Sequence, residues 1–146
     1  MEVIQATELH TNEVAVLFEA YRGYYDQAPD FSGALAFITE RIAKKDSVIF
    51  VVLLGEEIIG FTQLYPIFTS LGMKRGWLLN DLYVLEEHRG KGAGKALLDA
   101  ASNYGKKTNA AWLMLQTYIA NTTAQALYEK EGFKKDVNSF YYYKSL

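Results

Sequence analysis

Apolar and polar positions in this chain follow two alternating periods, and the switches between them mark the elements. Val3 to Thr7 reads as a short first strand, and Thr11 or Asn12 is placed to cap a helix with Val14, Leu17, Phe18 and Tyr21 on one face. Gly, Pro and clustered aromatics break the pattern from Tyr21 to Asp30. A second helix follows, with Leu35, Ile38 and Ile42 apolar and Glu40, Arg41, Lys44 and Lys45 polar. Ser47 to Leu54 is almost continuously aliphatic, as expected of a strand covered on both faces. A turn at Gly55-Glu56-Glu57 leads to its hairpin partner, Ile58 to Phe68.

The loop Thr69 to Gly76 returns the chain into a strand from Trp77 to Leu85. After the glycine-rich turn from Arg89 to Lys95, the spacing predicts a helix burying Ala93, Ala96, Leu97, Ala100 and Tyr104. Ala110 to Tyr118 is a further strand, and Asn121 caps a helix with Ala124, Leu127 and Tyr128 inward, stopped by Gly132. Phe133 to Asp136 and Ser139 to Lys144 are expected to close the chain as a hairpin. The order β-α-α-β-β-β-α-β-α-β-β describes an α/β (α+β) domain with a mixed, largely antiparallel sheet flanked by helices.

At 146 residues the chain is long enough for one domain with a sizeable core. A net charge of −2 lacks the basic excess of general nucleic-acid binders. The absence of cysteine removes disulfides, thiolate metal sites and acyl transfer through an enzyme thioester. The run Val48 to Leu54 is too short to cross a bilayer, and the start MEVIQATELH has no apolar signal core, so the cytoplasm is the expected compartment.

The chemistry concentrates where the Trp77 strand meets the following helix. A helix start exposes amides without intrahelical partners and adds a partial positive charge. Glycines let phosphate oxygens approach the backbone, and Arg89, Lys91 and Lys95 add cationic side chains. The stretch Arg89, Gly90, Lys91, Gly92, Ala93, Gly94, Lys95 therefore reads as a polyphosphate cradle, beside the plainer reading of a glycine turn with solvated cations. A P-loop fails, because Arg89 stands at its first glycine and Ala96 at its hydroxyl. A dinucleotide fingerprint fails at its third glycine, where Lys95 or Leu97 stands. What fits is Arg89-x-x-Gly92-x-Gly94 after a strand ending Leu82-Tyr83-Val84.

That pattern resembles the acyl-CoA-binding motif of the GNAT superfamily of N-acetyltransferases, Gln/Arg-x-x-Gly-x-Gly/Ala. The segment from Asn121 through Ala124 and Tyr128 to Gly132-Phe133 is similar to the family's second motif. The resemblance implies acetyl-CoA as cofactor, bound by the turn Arg89 to Lys95, by Leu82, Tyr83 and Val84, and by Asn121, with the pantetheine arm in a gap between the strands Trp77–Leu85 and Ala111–Thr117. It also implies a bulge in the first strand, placed by analogy at Asp81 to Tyr83.

In such a family Tyr128 is the general acid; a phenol with a pKa of about 10 stays protonated at neutral pH and can donate to a leaving thiolate. From spacing alone Tyr128 is equally a core aromatic, and Asn121 equally an N-cap. Asp81 is the candidate base, with hydrogen bonding at a bulge as its alternative, and Asn80 stands where polyamine acetyltransferases of the family carry an acid. His88, just before the cradle, reads as a loop residue. Tyr24, Tyr25, Asp26, Asp30 and Tyr65, together with Asn80, suit the rim of a cationic amine site.

The expected activity is transfer of acetyl to a small cationic amine such as a polyamine by direct attack in a ternary complex. The alternatives are a protein amine, or a non-catalytic acyl-CoA sensor. The run Phe140 to Tyr143, if at a sheet edge, suggests a homodimer. Neither nucleic acid nor membrane is an expected partner.

Overall fold

The structure, a computed structural model, describes residues Met1 to Leu146. The elements are β1 (Glu2–Gln5), α1 (Thr11–Tyr24), α2 (Phe31–Lys44), β2 (Val48–Leu54), β3 (Glu57–Thr69), β4 (Lys74–Val84), α3 (Ala93–Lys107), β5 (Leu113–Leu115) and α4 (Thr122–Lys130). The strands form one five-stranded sheet in the order β1-β2-β3-β4-β5. The first four pair antiparallel and β5 joins β4 in parallel, which makes the sheet mixed and largely antiparallel. Packing divides the chain into two compact units, Met1–Gln116, which holds the sheet with α1 to α3, and Thr117–Leu146, which holds α4.

In the first unit both faces of the sheet are covered, and β2 shows why its sequence is continuously apolar. Ile49 and Val51 join Val14 and Leu17 of α1, Ile38 of α2 and Phe61 of β3 in one core cluster. The intervening Phe50 turns the other way and meets Tyr104 of α3 edge-on at 5.5 Å. Each such fully buried Leu, Ile or Phe contributes about 1.5–3 kcal/mol.

The face that α3 buries is rotated from expectation. Leu98, Ala101 and Gly105 are buried with Ala93 and Leu97, while Ala96, Ala100 and Tyr104 are only half-buried. Tyr104 sits at the margin, packed between Phe50 and the Trp77 ring at 5.2 Å. A helix lying across a twisted sheet presents a stripe set by that contact, which wheel geometry does not specify.

The start of α1 also differs. A 3₁₀ turn, Glu8–His10, precedes it, and neither Thr11 nor Asn12 caps it. Thr7 closes the turn instead, its backbone N–H donating to His10 Nδ1 at 3.0 Å.

The β3–β4 hairpin reaches further than expected, with Thr69 paired to Lys74, so residues assigned to a loop continue the ladder. Near its far end Gly76 lies flat beneath the Trp112 ring, where a Cβ would stand 2.5 Å from ring carbons. This contact and the bond from Trp77 N–H to Trp112 O at 3.1 Å fasten the chain entering β5 to β4.

In the second unit Asn121 caps α4 as expected, accepting from the Ala124 amide at 3.2 Å. Gly132 follows the helix end with φ +89°, a conformation that glycine adopts freely. The expected closing hairpin is absent: residues 133–146 form no regular secondary structure. Four aromatics in succession from Phe140 to Tyr143 give no alternation that would define one buried face, and all four are exposed. A lone two-stranded hairpin is marginal in water without such a face.

Candidate functional site

The candidate site is built along β4 and the turn that follows it. β4 pairs with β5 at Trp77↔Leu113, Leu78↔Met114 and Leu79↔Leu115, and the ladder ends there. On its other edge β4 pairs with β3 on both sides of an irregularity: Gln63 faces Asp81, but Leu64 faces Leu79. Asn80 is therefore the extra residue of a β-bulge. The expected bulge exists, but one residue earlier than Asp81 to Tyr83. It falls where the β5 ladder stops, so the strand from Asn80 to Val84 keeps only its β3 partner.

The bulge turns Asp81 inward, and the residue is only 3% exposed. Gln63 Nε2 donates to its Oδ2 at 3.0 Å and Asn80 Nδ2 to its Oδ1 at 3.1 Å. The Tyr21 hydroxyl also hydrogen-bonds to it. Burial pushes the carboxyl above its ordinary value, and the bonds from Gln63, Tyr21 and Asn80 oppose the shift without cancelling it. A carboxylate offers about four lone-pair directions, so three donors leave about one for a proton or a water.

Tyr65 joins the cluster through Gln63, whose Nε2 also donates to its hydroxyl at 2.9 Å. Burial and the adjacent Asp81 charge push that phenol well above the usual range, so Tyr65 stays protonated. Sequence reasoning missed Gln63, Tyr21 and the Ser47 hydroxyl, which donates to Gln63 Oε1 at 3.0 Å. One signal was present: Thr62 and Gln63 interrupt an otherwise apolar strand, and both are fully buried.

At the C-terminal end of β4, Gly90 and Gly92 take φ of +72° and +92°. A Cβ at Gly90 would meet nothing within 4 Å, and at Gly92 only the Met1 Cε at 3.9 Å. Their backbone is thus uncovered. Gly92 is the N-cap of α3, and no side chain caps the helix, whose first turn includes Gly94. The helix thus opens on backbone amides, those of Ala93 and Gly94, that have no i−4 carbonyl within the helix and no capping side chain at Gly92. An anion with several oxygens fits this geometry.

The cations around the turn are each engaged within the chain. Arg89 Nε donates to the Val84 carbonyl at 2.8 Å, and its guanidinium lies over the Tyr24 and Tyr83 rings at 5.5 and 5.4 Å. Lys91 Nζ donates to the Glu87 carbonyl at 2.8 Å, and Lys95 pairs with Asp99 at 2.6 Å. Exposed pairs like the last are worth about 0–1 kcal/mol and yield readily to a phosphate. His88 is half-buried, its Nδ1 without a hydrogen-bond partner in the chain.

Arg89 brings the cradle to the aromatic end of α1. Tyr21, Tyr24 and Tyr25 pack edge to face there, Tyr21 also meeting Tyr83 at 6.3 Å. The loop beyond is pinned by Glu19, whose carboxylate accepts from Arg22 and from the Asp30 amide, and these bonds hold its acid below its usual value. Asp26 sits in this loop at φ +58° and is exposed. The structure thus gathers Asn80, Asp81 and Tyr65 in one cluster and Tyr24, Tyr83 and Arg89 in another. Asn121 and Tyr128 belong to α4 of the second unit, where the Tyr128 ring meets Phe133 at 6.0 Å.

Comparison with known proteins agrees with this layout. The sequence model of the acetyltransferase (GNAT) family matches residues 14–133. An uncharacterised N-acetyltransferase of Bacillus subtilis (strain 168), YhfO, is 44% identical over 142 residues, covering 97% of this chain and 95% of its own. A probable acetyltransferase of Haemophilus influenzae (strain ATCC 51907 / DSM 11121 / KW20 / Rd) is 33% identical over 135 residues, 92% of this chain and 90% of its own. The crystal structure of a probable acetyltransferase superposes with a TM-score of 0.95 at 37% identity, over 100% of this chain and 98% of that one.

Proposed function

Because this chain belongs to the acetyltransferase (GNAT) family, and is an acetyl-transferring enzyme, we propose that it acetylates a primary amine by direct attack in a ternary complex. The amine of this reading is a small cation such as a polyamine. The observation that carries it is the layout of β4: the ladder to β5 stops at Leu79, the buried carboxylate of Asp81 follows, and the uncapped turn at Gly90 and Gly92 lies beyond the strand's end.

Acetyl-CoA, the co-substrate of the family, supplies the acetyl group as a thioester when bound. The amides from Gly90 to Lys95 would hold its diphosphate, and Arg89, fixed on the Val84 carbonyl, would keep positive charge beside it. Leu82, Tyr83 and Val84 would flank the arm, with Asn121 as a further contact. Asp81 would take the proton of the incoming ammonium through a water, for which its raised pKa is suited. Tyr128 is assigned the proton donor to the departing thiolate, on the strength of its motif position on α4. Tyr24, Tyr25, Asp26, Tyr65 and Asn80 would receive the cation. A homodimer belongs to the same reading: Phe140 to Tyr143 form no sheet edge, so its support is the exposure of these four rings alone, and light scattering tests it.

Free-thiol release measured over polyamines, aminoglycosides, amino acids and peptide N-termini tests the proposal. Release with polyamines, reduced about 10²–10⁴-fold in Tyr128→Phe with CoA affinity unchanged, is the expected result. A thermal shift with CoA but no release with any amine would leave a binding module in place of an enzyme.

A further inference from the structure

We propose that Gln63 is the positioning residue of the amine site, aiming the Asp81 carboxylate and the Tyr65 hydroxyl together. The inference rests on the reading of Asp81 as the base and deepens it. Gln63 is fully buried at the β3 position facing Asp81, immediately before the register shift. Its carboxamide is engaged at both ends. The Ser47 hydroxyl donates to Oε1 at 3.0 Å, and Nε2 donates to Asp81 Oδ2 at 3.0 Å and to the Tyr65 hydroxyl at 2.9 Å.

Those partners dictate which way the amide points. Rotated by half a turn, Oε1 would face the Asp81 carboxylate, acceptor against acceptor, while Nε2 faced Ser47. An amide held in this way does two things. It fills the inward lone pair of Asp81 Oδ2, so the lone pair left for a water and a proton is set by the network. It also makes the Tyr65 oxygen an acceptor, so that the phenolic proton must point away from Gln63. Base and rim thus take their directions from one side chain.

The groups bearing on Asp81 are Tyr21 from α1, Asn80 beside it, and Gln63 and Tyr65 from β3; Arg41 of α2 and Asp46 act on Tyr65. Among these, Gln63 makes the largest opposition to the burial of the carboxylate.

The test is the pH profile of kcat/KM for Gln63→Met, which keeps volume and removes both donors, with Asp81→Asn measured in parallel. The acid limb is expected to move up by about one pH unit or more, since a hydrogen bond to the ionised form is lost. The amine KM should rise in the same variant while CoA affinity stays unchanged. A purely structural role would lower the melting temperature and leave the limb where it is, and that result overturns the proposal.

Ser47→Ala, which frees Oε1 and leaves Gln63 in place, covers the case in which Gln63→Met does not fold. It should move the limb in the same direction by less, and an unmoved limb there counts equally against the inference. If Asp81→Asn retains full activity and its acid limb, the assignment of the base is at fault. If Asp81→Asn loses the limb while Gln63→Met keeps it unshifted, only the role of Gln63 falls.

Discussion

Replacing Gly92 by alanine separates the cradle from the fold that carries it. Gly92 holds φ at +92°, and an added Cβ would meet only the Met1 Cε at 3.9 Å. The penalty in the free protein is therefore backbone strain alone, about 1–2 kcal/mol. For a chain of this length that lowers the melting temperature by roughly 2–8 °C. If the proposed cradle holds, the consequence for the ligand is larger, because the methyl group would stand where phosphate oxygens approach the amides at the start of α3. Losing one hydrogen bond to a charged phosphate removes about 1.5–3 kcal/mol, a loss of about 10–150-fold in CoA affinity.

Gly55 supplies the matched control: it has φ +64°, open space within 4 Å of where a Cβ would stand, and a place in the β2–β3 turn. Calorimetric titration with CoA should show affinity lost in Gly92→Ala and kept in Gly55→Ala, at similar changes in melting temperature. Affinity unchanged from the parent in both variants would refute the cradle. Equal losses in both would trace the effect to general destabilisation.

Three other outcomes follow from particular contacts. With Asp81 as base, activity requires its carboxylate; burial raises that group's pKa in the folded chain, so kcat/KM should fall with decreasing pH at an inflection above the ordinary value of about 3.9, and Asp81→Asn should lack that limb. The same shift has the opposite sign for stability: its contribution is fully present below the ordinary carboxylate value and is lost as pH rises through the folded-state value, which acid-range melting curves of Asp81→Asn and the parent should show. Gly76→Ala places a methyl 2.5 Å from the Trp112 ring and should destabilise by about 1–3 kcal/mol, with partial recovery when Trp112 is also reduced to Leu; full stability in the single variant would contradict the contact.

How far the sequence reached follows from the range of the forces involved. The exposed glycine turn before α3 was legible because its signals are local: glycines next to a helix start need no distant partner to declare an exposed backbone, and Gly90 and Gly92 take positive φ. Asn121 as the cap of α4, Gly132 after its end, and the two-sided burial of β2 were legible for the same reason. The α/β order up to α4 came from periodicity alone. Beyond α4 that signal failed, since the run Phe140 to Tyr143 looks strand-forming by composition but has no alternation to give it a side.

Only the tertiary structure decided which groups share the site. That Asp81 meets Gln63 depends on the β3–β4 register and on Asn80 taking the bulge, a choice made between residues 18 apart. That Arg89 lies between Tyr24 and Tyr83 depends on α1 packing against the sheet. A chain reveals by itself what each residue can do with its neighbours in sequence. Which distant donor fills a buried carboxylate's lone pair is set by close packing, where a shift of one residue in register exchanges every partner.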